Sequence, residues 1–126
     1  MLENEAGEVL RIVEKYLHGI HTGSIPELQA AFHEQSRLHA LNEKGEMSVE
    51  DRDAWLARVA ARQSPESKGE KRDDAIEWVA VEGPSMASVR LQVRIGAHRY
   101  QDLLTLLRTA RGWRIATKTF RDATPA

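Results

Sequence analysis

The chain has 126 residues, 41% of them hydrophobic and 29% charged, the size and balance of one soluble domain (1–126) with one core. The 18 basic and 19 acidic residues leave a formal net charge of −1, so no basic field is available for nucleic acid. The absence of cysteine excludes disulfides, thiolate catalysis and cysteine–zinc sites. No apolar run approaches the roughly 20 residues of a membrane span. Acidic residues interrupt the opening MLENEAGEVLRIVEKYL, which does not read as a signal peptide, and the expected location is cytoplasmic.

Residues 5–21 read as an amphipathic helix, with Ala6, Val9, Leu10, Val13, Tyr16, Leu17 and Ile20 recurring at three- and four-residue steps. Gly19 weakens this helix and Gly23 ends it. Ser24 and Glu27 form a capping box for a second, short helix carrying Ile25, Leu28, Ala31 and Phe32, with Pro26 in its first turn. Residues 35–42 alternate loosely and suggest a strand, NEKG at 42–45 is a turn, and residues 46 and 47 form a short return strand. Ser48 with Asp51 repeats the capping logic before a third helix that presents Trp55, Leu56 and Val59. Residues 63–72 hold no apolar side chain and form an exposed loop.

The remainder is strand-like. Ile76 to Val81 is one strand. Ala87, Val89, Leu91, Val93 and Ile95 alternate strictly with Ser88, Arg90, Gln92 and Arg94, the clearest period-two pattern in the chain. Tyr100–Arg108 and Trp113–Phe120 follow. The order of elements predicts an α+β fold, three helices against a curved antiparallel sheet.

A loop at 109–111 sets Arg108 opposite Gly112 and Asp102 opposite Lys118. Alternation then gives one face Tyr100, Asp102, Leu104 and Leu106 with Arg114, Ala116, Lys118 and Phe120. The other takes Leu103, Thr105 and Leu107 with Trp113, Ile115 and Thr117. Both faces are substantially apolar, and three helices cover one of them. The other calls for a second copy of the chain, a homodimer through Leu103, Leu107, Trp113 and Ile115, or for its own termini folded back. An inward-pointing Asp102 has two readings, an ion pair with Lys118 or a neutral acid that donates a hydrogen bond to a ligand.

The helix tyrosine, the AF and RLH that follow it, and YQDLLTLLRTARGWRIATKTF at 100–120 resemble the nuclear transport factor 2-like superfamily, and within it the branch described as putative lumazine-binding. The resemblance spans roughly residues 6–120. It implies a cone-shaped sheet wrapped against the helices, a central pocket in the open end, and frequent dimerisation. The superfamily includes ketosteroid isomerases, scytalone dehydratase and polyketide cyclases beside members without catalysis. The isomerases hold an oxyanion with a helix tyrosine and a strand acid, matched here by Tyr16 and Asp102. Their aspartate base falls on Ala40, which takes no proton.

His39 lies beside that position and serves as a base only if a bulge turns it inward. The expected ligand-binding residues are Tyr16, Phe32, Trp55, Trp78, Tyr100, Asp102, Leu104, Lys118 and Phe120, each aromatic also being readable as core packing. His18 and His21 sit at a helix end, no metal site is expected, and no cofactor is implied. Three readings stand: a binding domain for a small apolar or aromatic ligand; an isomerase, dehydratase or cyclase built on Tyr16, Asp102 and His39; and a dimeric interaction module with a filled core. A nucleic-acid or membrane partner is not expected.

Overall fold

The computed structural model describes residues 2–126. Helix α1 (Leu2–Thr22) buries the stripe Val9, Val13, Tyr16, Leu17 and Ile20, the periodicity read from the sequence. Gly23, at φ 74, turns the chain into α2 (Ile25–Ala31), whose N-cap Ser24 accepts from the Glu27 amide. Strand β1 (Phe32–Leu41) then runs into a hairpin with β2 (Met47–Asp51), and α3 (Arg52–Ala61) follows directly. The N-cap of α3 is Asp51, which accepts from the Ala54 amide at 2.8 Å, while Ser48 lies within β2. A 3₁₀ turn (Glu66–Lys68) interrupts the polar loop. Strands β3 (Asp74–Glu82), β4 (Met86–Ile95), β5 (His98–Thr109) and β6 (Gly112–Asp122) complete the chain.

The six strands form one curved sheet in the order β2-β1-β6-β5-β4-β3. Every neighbouring pair is antiparallel except β1 and β6, which run parallel. Irregularities between Phe32 and Arg37, at Glu77 and at Ala116 bend the sheet around the helices.

The last hairpin departs from its expected register twice. The turn holds two residues, not three, and Gly112 at φ 100 takes the left-handed position, so Arg108 pairs with Trp113. That one-residue slip moves Trp113 and Ile115 onto the helix-facing side, where they are 2% and 0% exposed. They belong to the core, not to the outer face assigned to them above. The bulge at Ala116 adds a second slip, and two slips return Lys118 and Phe120 to the expected side. Asp102 is therefore opposite Phe120, with Lys118 one step away beside Leu104. The outer face keeps Leu103 and Leu107, joined by Met86 and Trp78, all exposed.

Two contacts fix α1 on this sheet. Glu5 accepts from the Trp113 indole and from Arg108, both at 2.9 Å, tying the start of the helix to the last hairpin. Gly19 lets α2 approach: a Cβ built there would meet Leu28 Cδ2 at 2.8 Å, and Leu28 is fully buried. Overpacking at such a contact costs about 1–3 kcal/mol, more than the roughly 1 kcal/mol that alanine gains over glycine in a helix. Gly19→Ala is expected to lower the thermal midpoint, and an unchanged or raised midpoint in a calorimetric scan would contradict this packing.

Candidate functional site

Among the described residues the inner face of the sheet buries one acid completely. Asp102, on β5, has no exposed surface. Tyr16, on α1, donates its phenol hydrogen to Asp102 Oδ2 at 2.5 Å. Asp102 Oδ1 is buried with no hydrogen-bond partner. Lys118, on β6 and 6% exposed, places Nζ 3.9 Å from Oδ2, at the outer limit of an ion pair.

Aromatic rings enclose the ammonium. Lys118 Nζ lies 4.8 Å from the Trp55 ring centroid, 4.9 Å from that of Phe120 and 5.1 Å from that of Tyr16. Tyr16 meets Phe32 edge-on at 5.3 Å, and Phe32 meets Trp55 at 4.8 Å. Burial, then the adjacent Asp102, pushes the Tyr16 phenol well above its ordinary value, so it remains a proton donor. Burial lowers the Lys118 ammonium, opposed by Asp102 and reinforced by Arg62 and Arg58.

A cleft of about 130 Å³ opens beside this cluster, lined by Ile20, Trp55, Arg58, Arg62, Val93, Ile95, Tyr100, Lys118 and Phe120. Trp55, Tyr100, Lys118 and Phe120 were expected there. Tyr16, Phe32, Asp102 and Leu104 are fully buried one layer deeper. Trp78 is elsewhere: it pairs with Arg90 on the outer face, the guanidinium 5.6 Å from its ring. His39 is also on that face, paired with Val49 and Thr119, while Leu38 points inward. The irregularity in β1 falls before Arg37 and does not turn His39 toward Asp102. Ala40 leaves the inner face without a base at that position. His18 pairs with Glu27 at 2.8 Å. Among the described residues, no three His, Cys, Asp or Glu side chains gather as a metal site.

The sequence reading missed Arg58 and Arg62. The signal was available: Trp55 and Arg58 are three residues apart on one face of α3, and Arg62, four residues further on, caps the helix at the same cleft. Arg58 is held by Glu50 through two hydrogen bonds of 2.7 and 2.8 Å. Arg62 has no side-chain partner among the described residues, and its Nη2 is buried.

With this geometry in hand, comparison with known proteins is direct. Residues 4–121 match the family described as Putative lumazine-binding. The chain belongs to that family. It is similar to an NTF-2-like protein of unknown function from Silicibacter pomeroyi DSS-3, at 25% identity over 97% of this chain and 98% of the other, with a TM-score of 0.81. An NTF2-like protein of unknown function from Shewanella baltica OS155 shares 17% identity over 100% and 98% of the two chains, with a TM-score of 0.88. A ketosteroid isomerase-like protein from Erwinia carotovora atroseptica SCRI1043 shares 18% over 96% and 98%, with a TM-score of 0.73. These likenesses establish the nuclear transport factor 2-like fold. No curated protein gives a significant match. No described helix is long and apolar enough to cross a membrane.

Removing the Tyr16 hydroxyl leaves a fully buried carboxyl without its hydrogen bond. Tyr16→Phe is expected to lose about 1.5–3 kcal/mol in urea denaturation. The pH dependence has a defined sign. A phenol whose native pKa is raised contributes stability that is complete below about pH 10 and is lost as pH rises through the native value. In an ultraviolet titration one of the two tyrosines should therefore ionise only with alkaline unfolding, and that step should be missing from Tyr16→Phe. Two phenols titrating together near pH 10 in the folded chain would refute the buried pair.

Proposed function

We propose that this protein is a small-molecule-binding domain whose ligand enters the open end of the cone and stacks on Trp55, Tyr100 and Phe120. The observation that carries the reading is the cleft itself, walled by the rings of Trp55, Tyr100 and Phe120 and edged by Lys118, Arg58 and Arg62, with the buried Tyr16–Asp102 pair holding its walls from one layer beneath. The family description suggests lumazine, a flat heterocycle, and stacked aromatic walls suit a flat molecule. A mechanism of the isomerase type has the oxyanion pair in Tyr16 and Asp102 but lacks the base, since Ala40 occupies its place and His39 faces away. Binding without turnover is the reading that these residues support.

The outer face supports a second part of the proposal. Leu103, Leu107, Met86 and Trp78 are exposed on adjacent strands. A second copy of the chain, packed sheet to sheet, is their proposed cover.

Thermal-shift measurements against flavins, pterins, lumazines, steroids and aromatic polyketide-like compounds test the ligand site. A ligand at a hundred times its Kd adds about 2.7 kcal/mol, so a saturable rise of several degrees is expected, reduced in Phe120→Ala. No shift across the panel would favour a cone filled by its own side chains. Light scattering tests the second part: the expected mass is that of a dimer, and Leu103→Asp with Leu107→Asp should yield a folded monomer. A monomeric wild type at micromolar concentration would end the dimer proposal.

A further inference from the structure

Arg62 follows the last residue of α3, at the rim of the cleft. Arginines elsewhere in the fold find acceptors: Arg58 on Glu50, Arg72 on Glu14 and Asp74, Arg99 on Asp73, Arg108 on Glu5. Arg62 does not, although it lines the same cleft as Arg58 and its Nη2 is shielded from solvent. A buried donor without an acceptor costs about 1–3 kcal/mol, more when it is charged. No acceptor among the described residues recovers that loss.

The charges around the recess leave a place for such a group. Arg58 is matched by Glu50, and Lys118 lies next to Asp102. Arg62 is the remaining cation. The lowering of both Arg62 and Lys118 by burial, with Arg58 acting on each in the same direction, is consistent with an excess of positive charge in this space. Around these cations the walls are apolar: Ile20, Val93 and Ile95, with the rings of Trp55, Tyr100 and Phe120.

We propose that the cleft selects organic anions, a carboxylate borne on a single flat ring, with the Arg62 guanidinium as the anchor for the carboxylate and the aromatic wall as the seat of the ring. This rests on the reading of the cone mouth as a ligand site and names the chemistry that site takes. A guanidinium fork presents two parallel donors to a carboxylate, and a rotation of the half-exposed Arg62 side chain at the rim turns the unpartnered Nη2 from its shielded position to an anion in the cleft. The cavity volume of about 130 Å³ matches one substituted ring, and a wider hollow of about 490 Å³ shares Tyr100 and Phe120 with it, which leaves room for a substituent directed outward.

Isothermal titration of the intact chain with benzoate and with its neutral counterpart benzamide, at fixed ionic strength, tests this. Benzoate is expected to bind at least about tenfold more tightly than benzamide. Arg62→Gln should bring the two together, while Arg62→Lys keeps a preference for the anion at reduced strength. Arg11→Gln, on an exposed position of α1, should leave the ratio unchanged and so controls for net charge. Without ligand, Arg62→Gln should melt at or above the wild-type temperature, because it removes an uncompensated charge. Equal binding of the two probes, or a ratio unaffected by Arg62→Gln, overturns the anion proposal and leaves the cone as a ligand site. An Arg62→Gln chain that fails to fold, or melts far below wild type, makes Arg62 structural and also overturns it. Binding of neither probe overturns the anion proposal, and the thermal-shift panel then decides independently whether the cone takes any ligand.

Discussion

A carboxyl group with no exposed surface, in the middle of a strand, is the constraint around which the fold is arranged. An unpaired charge at such a position costs several kcal/mol, so Asp102 needs partners from other elements. They come from two directions: the Tyr16 phenol from α1 at 2.5 Å and the Lys118 ammonium from β6 at 3.9 Å. Each partner sets one degree of freedom. Tyr16 fixes the rotation of α1 about its axis, since a turn of the helix by one residue withdraws the phenol. Lys118 requires β6 to arrive with a particular side facing in. Glu5 and Gly19, toward the two ends of the same helix, then hold it against β6 and α2.

How these demands are met explains which parts of the fold were legible. The alternation in β4 was legible because Ala87, Val89, Leu91 and Val93 are buried without interruption: its pairing with β5 is regular throughout, and the extra residue in its pairing with β3, Glu77, lies on β3. β6 was misread at its first half because facing depends on turn length and on bulges, both non-periodic events. A two-residue turn at Ala110–Arg111 and one extra residue at Ala116 were each invisible to a period-two argument. Their effects cancelled beyond Ala116, so Lys118 and Phe120 were placed correctly while Trp113 and Ile115 were not. The parallel pairing of β1 with β6 joins segments some eighty residues apart and carries no local signature. The meeting of Tyr16 with Asp102 came from family resemblance. Arg58 and Arg62 carry no periodic signature of their own: Arg58 reads as the solvated side of α3, and Arg62 lies past its end at the edge of the polar loop.

The same cluster bears on what the site does. In an oxyanion-binding arrangement the phenol and the strand acid both aim donors at a substrate oxygen. Here the phenol hydrogen is directed at the acid, and the acid's other oxygen, Oδ1, is turned to no donor. A ligand oxygen reaching this floor would have to displace a short intramolecular bond to gain the phenol. The Tyr16–Asp102 pair in this state is an organiser of the core, buried a layer beneath the cleft. The charged groups that reach the cleft are Lys118, Arg58 and Arg62.

Among those three, the aromatic enclosure of Lys118 separates two roles. Its ammonium is balanced by Asp102 on one side and by the faces of Trp55, Phe120 and Tyr16 on the others, so its charge is already compensated within the chain. Arg58 is compensated by Glu50, to which it donates two hydrogen bonds. Both can orient a ligand at little change in their own energy, whereas Arg62 alone gains a missing acceptor when an anion arrives. Discrimination between an anion and a neutral isostere is a difference in affinities, and it is largest at the group whose unliganded state is the least satisfied. In this cleft that group is Arg62, the residue that caps α3, so the proposed preference for an anion rests on the rim and the proposed seat of the ring on the aromatic side chains beneath it.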